Sequence, residues 1–350
     1  MGEPPTGPPR PLTAESPQVR LQQLIGGYTT SQTIYAITKL GIPDLLADGP
    51  VTAKDLAVAS GAHRETLTRF LQALVGVDVI RSDSEDRYTL GALGEHLRSG
   101  TPGSLRSYAI HANEETYQAW GDAVHALRTG QPAFEHRYGT GFYDYMASHP
   151  DADAIWNDSM TETERAWTLD PGLVGAYDWH DARRVVDVGG GHGALIARIL
   201  KAAPWATGIL FDLPNVVAGA AELLDAEGVA DRCEVVGGDA FEAVPAGGDL
   251  YVMSRVLFNW DDEKAAMLLR NCRQAMSSSG RLLIIEPLVT GESGTAGLID
   301  LNVFMICGGR TRNAAQLDAL FARAGLRFER FVPTPAAWHI LEVCPAASHR

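Results

Sequence analysis

The stretch that decides the fold is RVVDVGGGHG, which spans residues 184–193. Its first half is apolar apart from Arg184 and Asp187, as in a short strand buried in a sheet. Its second half holds four glycines, which let the backbone turn sharply and approach a ligand closely. A helix is predicted directly afterwards, over residues 194–203, so that its first N–H groups face the same crevice. Together these features predict a ligand site at the carboxyl end of the first strand of an α/β sheet.

Strands and helices alternate outward from this stretch. The alternation is typical of a parallel sheet that helices cover on both faces. The predicted strands lie at 208–212, 233–236, 249–253 and 281–286, and near 328–331 and 338–342, with helices at 216–226, 262–276 and 314–324. We therefore predict an α/β fold with a doubly wound, Rossmann-like domain over residues 181–345.

The glycines alone leave two cofactors open, a dinucleotide and S-adenosyl-L-methionine. Counting from Gly189, the sixth residue is Ala194, which a dinucleotide fingerprint permits. Asp212 ends the second strand, where an acid can bind ribose hydroxyls of either cofactor. Asp239 and Phe241 follow the third strand and suit an adenine ring, the acid accepting from its amine and the aromatic ring packing on its face. Three acids in one site favour a cationic sulfonium over a pyrophosphate, so S-adenosyl-L-methionine is predicted.

The N-terminal part of the sequence predicts a separate helical module. Residues 1–17 contain six prolines and little apolar content, which predicts a disordered or extended tail. Residues 18–100 predict helix, turn, helix and a two-stranded wing at 79–81 and 88–90, the order of a winged helix. The expected recognition helix lacks a basic face, and 29 Lys and Arg against 43 Asp and Glu give a net charge of −14. DNA binding is therefore disfavoured, and packing or dimerisation of the module, giving a homodimer, is expected.

A region rich in aromatic residues links the two modules. Residues 101–180 are predicted to be helical, and their aromatics are expected to serve both as core and as walls of a substrate site. The four cysteines have no zinc spacing, so no metal site is expected. The longest apolar runs fall short of the roughly 18 residues of a membrane span, and no signal-peptide stretch is evident. Cytoplasmic localisation, with no membrane or nucleic-acid partner, is the expectation.

Five motifs in order resemble those of the plant-type (caffeate-like) small-molecule O-methyltransferase family. They are DVGGGHG at 187–193, FDLP at 211–214, GDAF at 238–241, SRVL with NWDD at 254–262, and DLN with GGR at 300–310. The resemblance extends from about residue 20 to residue 343, and the N-terminal module is similar to that family's dimerisation domain. Tyr138-Gly139 and residues 176–179 most resemble bacterial enzymes that methylate anthracyclines. The resemblance implies a class I methyltransferase domain, a homodimer and a small aromatic substrate.

The resemblance also implies roles for individual residues. Gly189 and Gly191 would approach the methionine part of the cofactor. The other implied cofactor residues are Asp212 with Leu213 at the ribose, Asp239, Ala240 and Phe241 at the adenine, and Ser254 and Arg255 closing the site. The implied substrate walls are Asn259, Asn302, Met160, Phe142 and Met305.

The sequence departs from the family at the general base. Many members carry a histidine just before the Asn/Asp-Trp pair, where this chain has Phe258. Of the two acids that support this histidine, Glu286 is present and the other position is Thr311. Glu286 and Tyr138 are therefore the expected catalytic side chains, together with Asn259, and His111 and His136 are further possible bases.

Without the histidine, methyl transfer is expected to depend mainly on proximity, because the sulfonium is already a strong electrophile. Transfer to the oxygen of a phenol is the leading prediction. Methylation of a ring carbon or nitrogen stays open, and so does a homologue that binds the cofactor without methylating. A DNA-binding regulator is the least favoured alternative.

Overall fold

The structure is a computed structural model that describes residues 16–168, 172–288, 294–334 and 338–346. The tail predicted at the N-terminus lies, up to residue 15, outside the described residues. The chain forms two compact units, of which one ends at Gly100 and the other begins at Thr101. In the part that is described, no helix is long and apolar enough to cross a membrane.

The N-terminal unit confirms the predicted helices and wing. Its elements are α1 (Pro17–Lys39), α2 (Ile42–Leu45), β1 (Val51–Thr52), α3 (Ala53–Ser60), α4 (Arg64–Val75), β2 (Ile80–Ser82), β3 (Arg87–Leu90) and a 3₁₀ helix at Gly94–Leu97. Helix α3 begins where Thr52 Oγ1 accepts the N–H of Asp55 at 3.2 Å, and it ends at Gly61 with φ of +72°. The wing also has a third strand, β1, which pairs antiparallel with β3 and was not predicted.

Helix α1 leaves an apolar face uncovered. Leu21, Leu24 and Ile25 are 56%, 64% and 68% exposed, and Val19 and Tyr28 are also exposed. Single exposed apolar residues are ordinary on a protein surface, whereas five within ten residues of one helix form a patch. A patch of this kind is typical of a surface that another chain covers.

The second unit opens with the predicted aromatic helical region. Its helices are α5 (Arg106–His111), α6 (Glu115–Trp120), α7 (Ala123–Thr129), α8 (Ala133–Tyr138), α9 (Phe142–Ser148), α10 (Pro150–Thr168) and α11 (Gly172–Gly175). Gly139, with φ of +72°, ends α8 and redirects the chain before α9. The buried Phe142 joins these helices, since its ring lies 5.2 Å from Phe134 and 4.8 Å from Trp156.

A seven-stranded sheet forms the centre of the second unit. Its strands are β4 (Arg184–Val188), β5 (Thr207–Asp212), β6 (Cys233–Gly237), β7 (Leu250–Ser254), β8 (Arg281–Pro287), β9 (Leu326–Val332) and β10 (Trp338–Pro345), in the order β6-β5-β4-β7-β8-β10-β9. The first five are parallel, as predicted, but β10 runs antiparallel to both β8 and β9. The direction of the last two strands was not predicted; only residues 333–337 separate β9 from β10, which are too few for a parallel crossover.

Helices cover both faces of the sheet. They are α12 (Ala194–Ala202), α13 (Pro214–Val217), α14 (Ala220–Ala226), α15 (Asp262–Ala275), α16 (Gly294–Cys307) and α17 (Ala314–Arg323), with 3₁₀ helices at Ala230–Arg232 and Leu257–Asn259. The strands alternate between two cores: Val185 packs in one layer, and Val186 and Val188 pack in the other. This burial on both faces is the reason that the strands are continuously apolar.

Two helices differ from the prediction. The helix expected at 216–226 is broken before Ala220, because Gly219 packs against the ring of His192: a Cβ on Gly219 would lie 2.7 Å from Nε2. Helix α16 was not predicted, since it is apolar along most of its length and lacks the polar face that marks an amphipathic helix.

Candidate active site

One cavity of about 830 Å³ lies at the carboxyl ends of β4, β5, β6 and β7. This is the edge at which parallel α/β sheets bind ligands. All nine residues predicted to bind a cofactor line it, namely Gly189, Gly191, Asp212, Leu213, Asp239, Ala240, Phe241, Ser254 and Arg255. The structure therefore brings together residues that are up to 66 positions apart in the sequence, counting from Gly189 to Arg255.

The glycine-rich turn is shaped by close packing on one side and open space on the other. Gly189 has φ of +71°, and a Cβ there would lie 2.6 Å from Val256 Cγ2. A Cβ on Gly190 would lie 2.6 Å from Asp187 Oδ2. Gly191 also has positive φ, +60°, but nothing lies within 4 Å of its Cβ position. The backbone at Gly191 therefore faces open cavity, where a ligand can approach it closely.

Asp212 fixes the turn from the neighbouring strand. Its Oδ2 accepts the N–H of Gly191 at 2.8 Å, and its Oδ1 accepts the N–H of Leu213 at 2.7 Å. Burial raises the pKa of this carboxyl, and the two N–H groups oppose that shift. Each carboxylate oxygen keeps a second lone pair. The group can therefore accept hydroxyl hydrogens from a ligand without losing its backbone partners.

Aromatic rings form the wall next to Asp239. Asp239 Oδ1 accepts the N–H of Phe241 at 2.8 Å, which sets the loop after β6. The Phe241 ring meets Trp260 edge to face at 4.8 Å, and Lys264 Nζ lies 5.0 Å from the centre of the Trp260 ring. In the sequence, Trp260 was recognised only as part of a motif, and no place in the cavity wall was predicted for it. Aromatic rings in a cavity wall can pack against a flat ring system such as adenine.

Buried carboxyl groups lie at the floor of the cavity. Asp187 is 1% exposed, and its Oδ2 is buried without a hydrogen-bond partner. Burial, together with repulsion from Glu164 and Asp212, raises the pKa of Asp187 to about 8. A buried acid that lacks compensation beside two others is stabilised by a cation. A ligand that carries a sulfonium and an ammonium group suits this set of acidic side chains.

A second group of residues lines the same cavity beyond Arg255. Phe142 and Met160, both predicted as substrate walls, are there with Trp156. Asn259 donates through Nδ2 to the Tyr143 hydroxyl at 2.9 Å and to the Arg255 carbonyl at 3.1 Å. This half of the cavity combines flat apolar walls with a fixed polar pair.

Tyr143 was missed by the sequence analysis. Its ring stacks on Trp260 at 4.9 Å, and burial raises the pKa of its hydroxyl well above the usual value. The signal that could have found it is its position just after the break at Gly139–Gly141, where the chain turns back toward the sheet.

Two family models match the chain, the O-methyltransferase domain over residues 117–327 and the O-methyltransferase dimerisation domain over residues 22–99. The chain belongs to the O-methyltransferase family. It is 40% identical to phenazine O-methyltransferase PhzM of Lysobacter antibioticus, covering 93% of this chain and 95% of that one. It is 37% identical to the 8-amino-8-demethylriboflavin N,N-dimethyltransferase of Streptomyces davaonensis, covering 95% and 98%.

Solved structures agree with this assignment. The crystal structure of LaPhzM has a TM-score of 0.92 and 39% identity and covers 95% of this chain and 100% of that chain. The O-methyltransferase NcsB1 from neocarzinostatin biosynthesis, solved with S-adenosylmethionine and 2-hydroxy-5-methyl naphthoic acid, has a TM-score of 0.79 and 32% identity, covering 95% and 100%. The present protein is an S-adenosyl-L-methionine-dependent methyltransferase, and the cavity described above has the acids, open glycine and aromatic wall that suit this cofactor.

Four residues predicted for the active site of the methyltransferase do not line the cavity. Glu286 is 1% exposed, and its Oε1 accepts the N–H of Phe258 at 2.8 Å. The Asn302 side chain accepts from Trp120 Nε1 at 2.9 Å. Met305 is 2% exposed and packs with Ala126 and Ala133. Tyr138 packs between Phe134 and Tyr145, at 4.5 Å and 4.8 Å, with its hydroxyl 3.4 Å from Gln118 Oε1.

These placements correct the expectations for direct contact with a ligand. Glu286 accepts a backbone N–H within the protein, and burial raises its pKa to about 8, so its position gives no support for direct contact with a ligand. Asn302 and Met305 lie on α16 but are used in packing against α6 to α8. Tyr138 precedes the turn at Gly139, so Tyr143, five residues later, is the tyrosine of the cavity.

The base expected in many relatives has no equivalent at the corresponding position. The Phe258 ring is 7% exposed and lies 6.2 Å from Trp338. Thr311 donates through its N–H and its hydroxyl to Asp300 Oδ1, at 2.6 Å and 2.8 Å, rather than facing Phe258. Position 258 is therefore part of the apolar core and is not among the residues that line the cavity.

Histidines elsewhere in the methyltransferase were considered as bases. Burial lowers the pKa of His111 to about 4, and its ring lies behind the cavity wall, 4.6 Å from Trp156. His136 stacks on His125 at 3.5 Å, and neither lines the cavity. His192 does line it, with Nδ1 3.4 Å from Thr161 Oγ1, and was not considered from the sequence.

The raised pKa of Asp187 predicts that cofactor affinity depends on pH. Because the carboxyl is protonated below about pH 8 in the free protein and a bound cation favours its ionised form, binding releases a proton. The affinity for S-adenosyl-L-methionine should then rise from about pH 6 to pH 8, by at most about tenfold per unit, and level off above pH 8. Isothermal titration calorimetry at several pH values measures this.

Two controls accompany this titration. S-Adenosylhomocysteine lacks the sulfonium charge and should show a smaller rise, and Asp187→Asn should remove the rise for both ligands. An equal slope in the wild type and in Asp187→Asn contradicts the assignment.

Proposed function

We propose that this methyltransferase transfers a methyl group to a phenolic oxygen of a small, flat aromatic natural-product precursor. The observation that carries the proposal is the continuity of the cavity. Phe142, Trp156 and Met160 line the same space as Asp212 and the glycine-rich turn, with the Asn259–Tyr143 pair between the two halves. The volume of about 830 Å³ lies in the upper part of the roughly 300–1,000 Å³ that is typical of ligand pockets.

The activities for which the relatives are named support an aromatic acceptor. They include a 3-amino-4-hydroxybenzoate 4-O-methyltransferase of Streptomyces cremeus and a mitomycin biosynthesis 6-O-methyltransferase of Streptomyces lavendulae. We infer a role in the biosynthesis of an antibiotic-like compound on the same basis. Because an N,N-dimethyltransferase is also among the relatives, nitrogen is the second candidate for the accepting atom.

The protein's contribution to the reaction is positioning. The bound cofactor supplies an electrophilic methyl group. The pKa of the Tyr143 hydroxyl is raised, so this group stays protonated. It can hydrogen-bond the substrate oxygen that receives the methyl group, but it does not remove the proton of that oxygen. Asn259 holds that hydroxyl in place from the other side. Correct orientation of the two reactants can supply roughly 7–11 kcal/mol of the barrier, and the phenol proton leaves to solvent.

A methylation assay tests the proposal. Purified protein is incubated with S-adenosyl-L-methionine and a panel of phenols, including 1,4-dihydroxy-2-naphthoic acid and hydroxyphenazines, and the products are analysed by mass spectrometry. The expected result is one S-adenosylhomocysteine for each methyl group added, with NMR placing the methyl on oxygen. Consumption of the aromatic compound without S-adenosylhomocysteine excludes methyl transfer, and a methyl on nitrogen selects the second candidate.

We further propose that the enzyme is a homodimer that covers the apolar face of α1. The dimerisation-domain match over residues 22–99 contains most of that face. Light scattering should give twice the chain mass of 37.6 kDa. The double change Leu24→Glu and Ile25→Glu should give monomers, because two charges cannot be buried without partners. Ala73→Glu, at an exposed position of α4, is the control and should stay dimeric; a wild-type monomer contradicts the proposal.

We also infer a cytoplasmic enzyme. Cys233, Cys272, Cys307 and Cys344 are all free thiols in the structure. Free cysteines are typical of proteins kept in a reducing compartment. Maleimide labelling of the denatured protein, taken directly from cells, should modify all four.

A further inference from the structure

Arg255 occupies an unusual backbone position at the centre of the cavity. It follows Ser254, the last residue of β7, and its φ is +57°, a left-handed conformation that residues other than glycine seldom adopt. The N–H of Arg255 donates to the Ile285 carbonyl at 3.0 Å, which ties it to β8. Such a conformation persists only where the surroundings fix it, and such positions cluster at functional sites.

The side chain of Arg255 is fixed by helix α10. Its Nη1 donates to Thr163 Oγ1 and its Nη2 to the Met160 carbonyl, both at 2.9 Å. Its Nε lies 2.7 Å from Glu164 Oε2, and both side chains of this ion pair are almost buried, at 13% and 9% exposed. A planar guanidinium holds these three partners through three nitrogens in one fixed plane, whereas the three donors of an ammonium rotate on a single nitrogen.

These contacts join two functions of the cavity wall. Ser254, Arg255 and Val256 border the glycine-rich turn, because Val256 is the residue against which Gly189 packs. Helix α10 supplies Trp156 and Met160 on the other side. The Arg255 side chain therefore connects the segment next to the cofactor with the helix that carries the substrate wall.

We propose that Arg255 is a positioning residue that couples ligand binding on the cofactor side of the cavity to helix α10. Through this coupling, cofactor binding orders the substrate wall. A ligand that orders the segment at Ser254–Val256 also fixes the position of the guanidinium. The guanidinium in turn orders the turn of α10 that contains Met160, Thr163 and Glu164. Coupling of this kind is a free energy shared by two sites that touch a common element. The proposal requires only the cofactor side of the cavity and does not depend on the identity of the aromatic substrate.

Hydrogen–deuterium exchange tests the proposal, with S-adenosylhomocysteine as the probe. In the wild-type protein, saturating probe should slow amide exchange in α10 by about fivefold or more. In Arg255→Gln, measured at probe concentrations that saturate the variant by calorimetry, the slowing should fall below about twofold. Arg255→Lys should show an intermediate effect, because it keeps the charge but not the fork. Unchanged slowing in Arg255→Gln overturns the proposal.

A second variant guards against loss of binding in Arg255→Gln. Thr163→Val removes one of the three anchors, and Thr163 is not among the residues that line the cavity. It should bind the probe normally yet slow exchange in α10 less than the wild type does. If the probe protects α10 by direct contact alone, Thr163→Val will behave as the wild type, and the proposal is wrong.

The matched control is Glu162→Gln on the same helix. Glu162 accepts the N–H groups of Ser107 and Tyr108, at 3.1 Å and 2.9 Å, and does not line the cavity. This variant should raise the amide exchange rate of α10 in the absence of the probe. The probe should still slow that exchange by the same factor as in the wild type. A loss of probe-dependent slowing equal to that of Arg255→Gln would show that any weakening of α10 suffices, and would contradict the specific role of Arg255.

Discussion

Replacement of Asp212 by alanine is expected to weaken S-adenosyl-L-methionine binding by about 100-fold. Two backbone N–H groups, of Gly191 and Leu213, would lose their acceptor at once. A hydrogen bond to a charged group contributes about 1.5–3 kcal/mol, and the ribose would lose its acceptor as well. The turn at Gly191 would then be free to move where the ligand approaches it. Calorimetric titration of the cofactor measures the change in affinity.

The control for Asp212→Ala is Asp249→Ala at the opposite end of the same sheet. Asp249 also accepts two backbone N–H groups, those of Arg183 at 2.9 Å and Arg184 at 3.2 Å, just before β4 begins. Its removal should lower the melting temperature by several degrees but change cofactor affinity by less than about twofold, because the two ends of the strand are independent sites. If Asp212→Ala binds the cofactor as Asp249→Ala does, Asp212 has no role in the cofactor site.

Replacement of Gly309 by alanine is expected to destabilise the protein by about 3 kcal/mol or more. The new Cβ would lie 2.2 Å from the Phe258 carbonyl oxygen and 2.4 Å from the Asn259 carbonyl carbon. These are backbone atoms that cannot rotate away. The turn is also held by Arg310, whose N–H donates to the Phe258 carbonyl at 2.8 Å, and by Arg312, whose Nη2 donates to the Trp260 carbonyl at 2.8 Å. Urea denaturation followed by circular dichroism measures the loss.

Gly175→Ala is the matched control for Gly309→Ala. Gly175 lies at the end of the short helix α11, has ordinary φ, and has nothing within 4 Å of its Cβ position. Its replacement should change the free energy of unfolding by less than about 0.5 kcal/mol. In Gly309→Ala, the displaced turn carries Asn259 and Trp260, so cofactor affinity should fall as well. An alanine at 309 that leaves both stability and affinity intact would contradict the packing described.

The position of the predicted cofactor residues along the cavity was predictable because it follows from strand ends. Asp212 ends β5 and Asp239 lies two residues after β6, and parallel strands place such residues along one edge. The substrate half depends on tertiary packing that short-range patterns do not encode. Tyr138 and Tyr143 lie five residues apart in similar sequence, and only the turn at Gly139 decides which of them reaches the cavity. Glu286 was correctly placed at a strand end, but its capture by the N–H of Phe258 requires the 3₁₀ turn at 257–259.

The strands of the sheet were predictable, including the last two. The alternation of strand and helix through β8 indicated burial on both faces of the sheet. The antiparallel direction of β10 was not predicted, although the short connection at 333–337 is a signal of a hairpin. Helix α16 was not predicted because a helix that is apolar along most of its length has no periodic pattern of polar and apolar residues.

The position of β10 has a consequence for how the protein matures during synthesis. Trp338–Pro345 is the last described strand along the chain, yet it lies inside the sheet between β8 and β9, with Ile340 and Val343 almost fully buried. Until this strand emerges from the ribosome, β8 presents an open edge of unpaired amides and carbonyls. A nascent chain that already contains the whole cofactor cavity is therefore still a template for aggregation until β10 has been synthesised and has paired with β8.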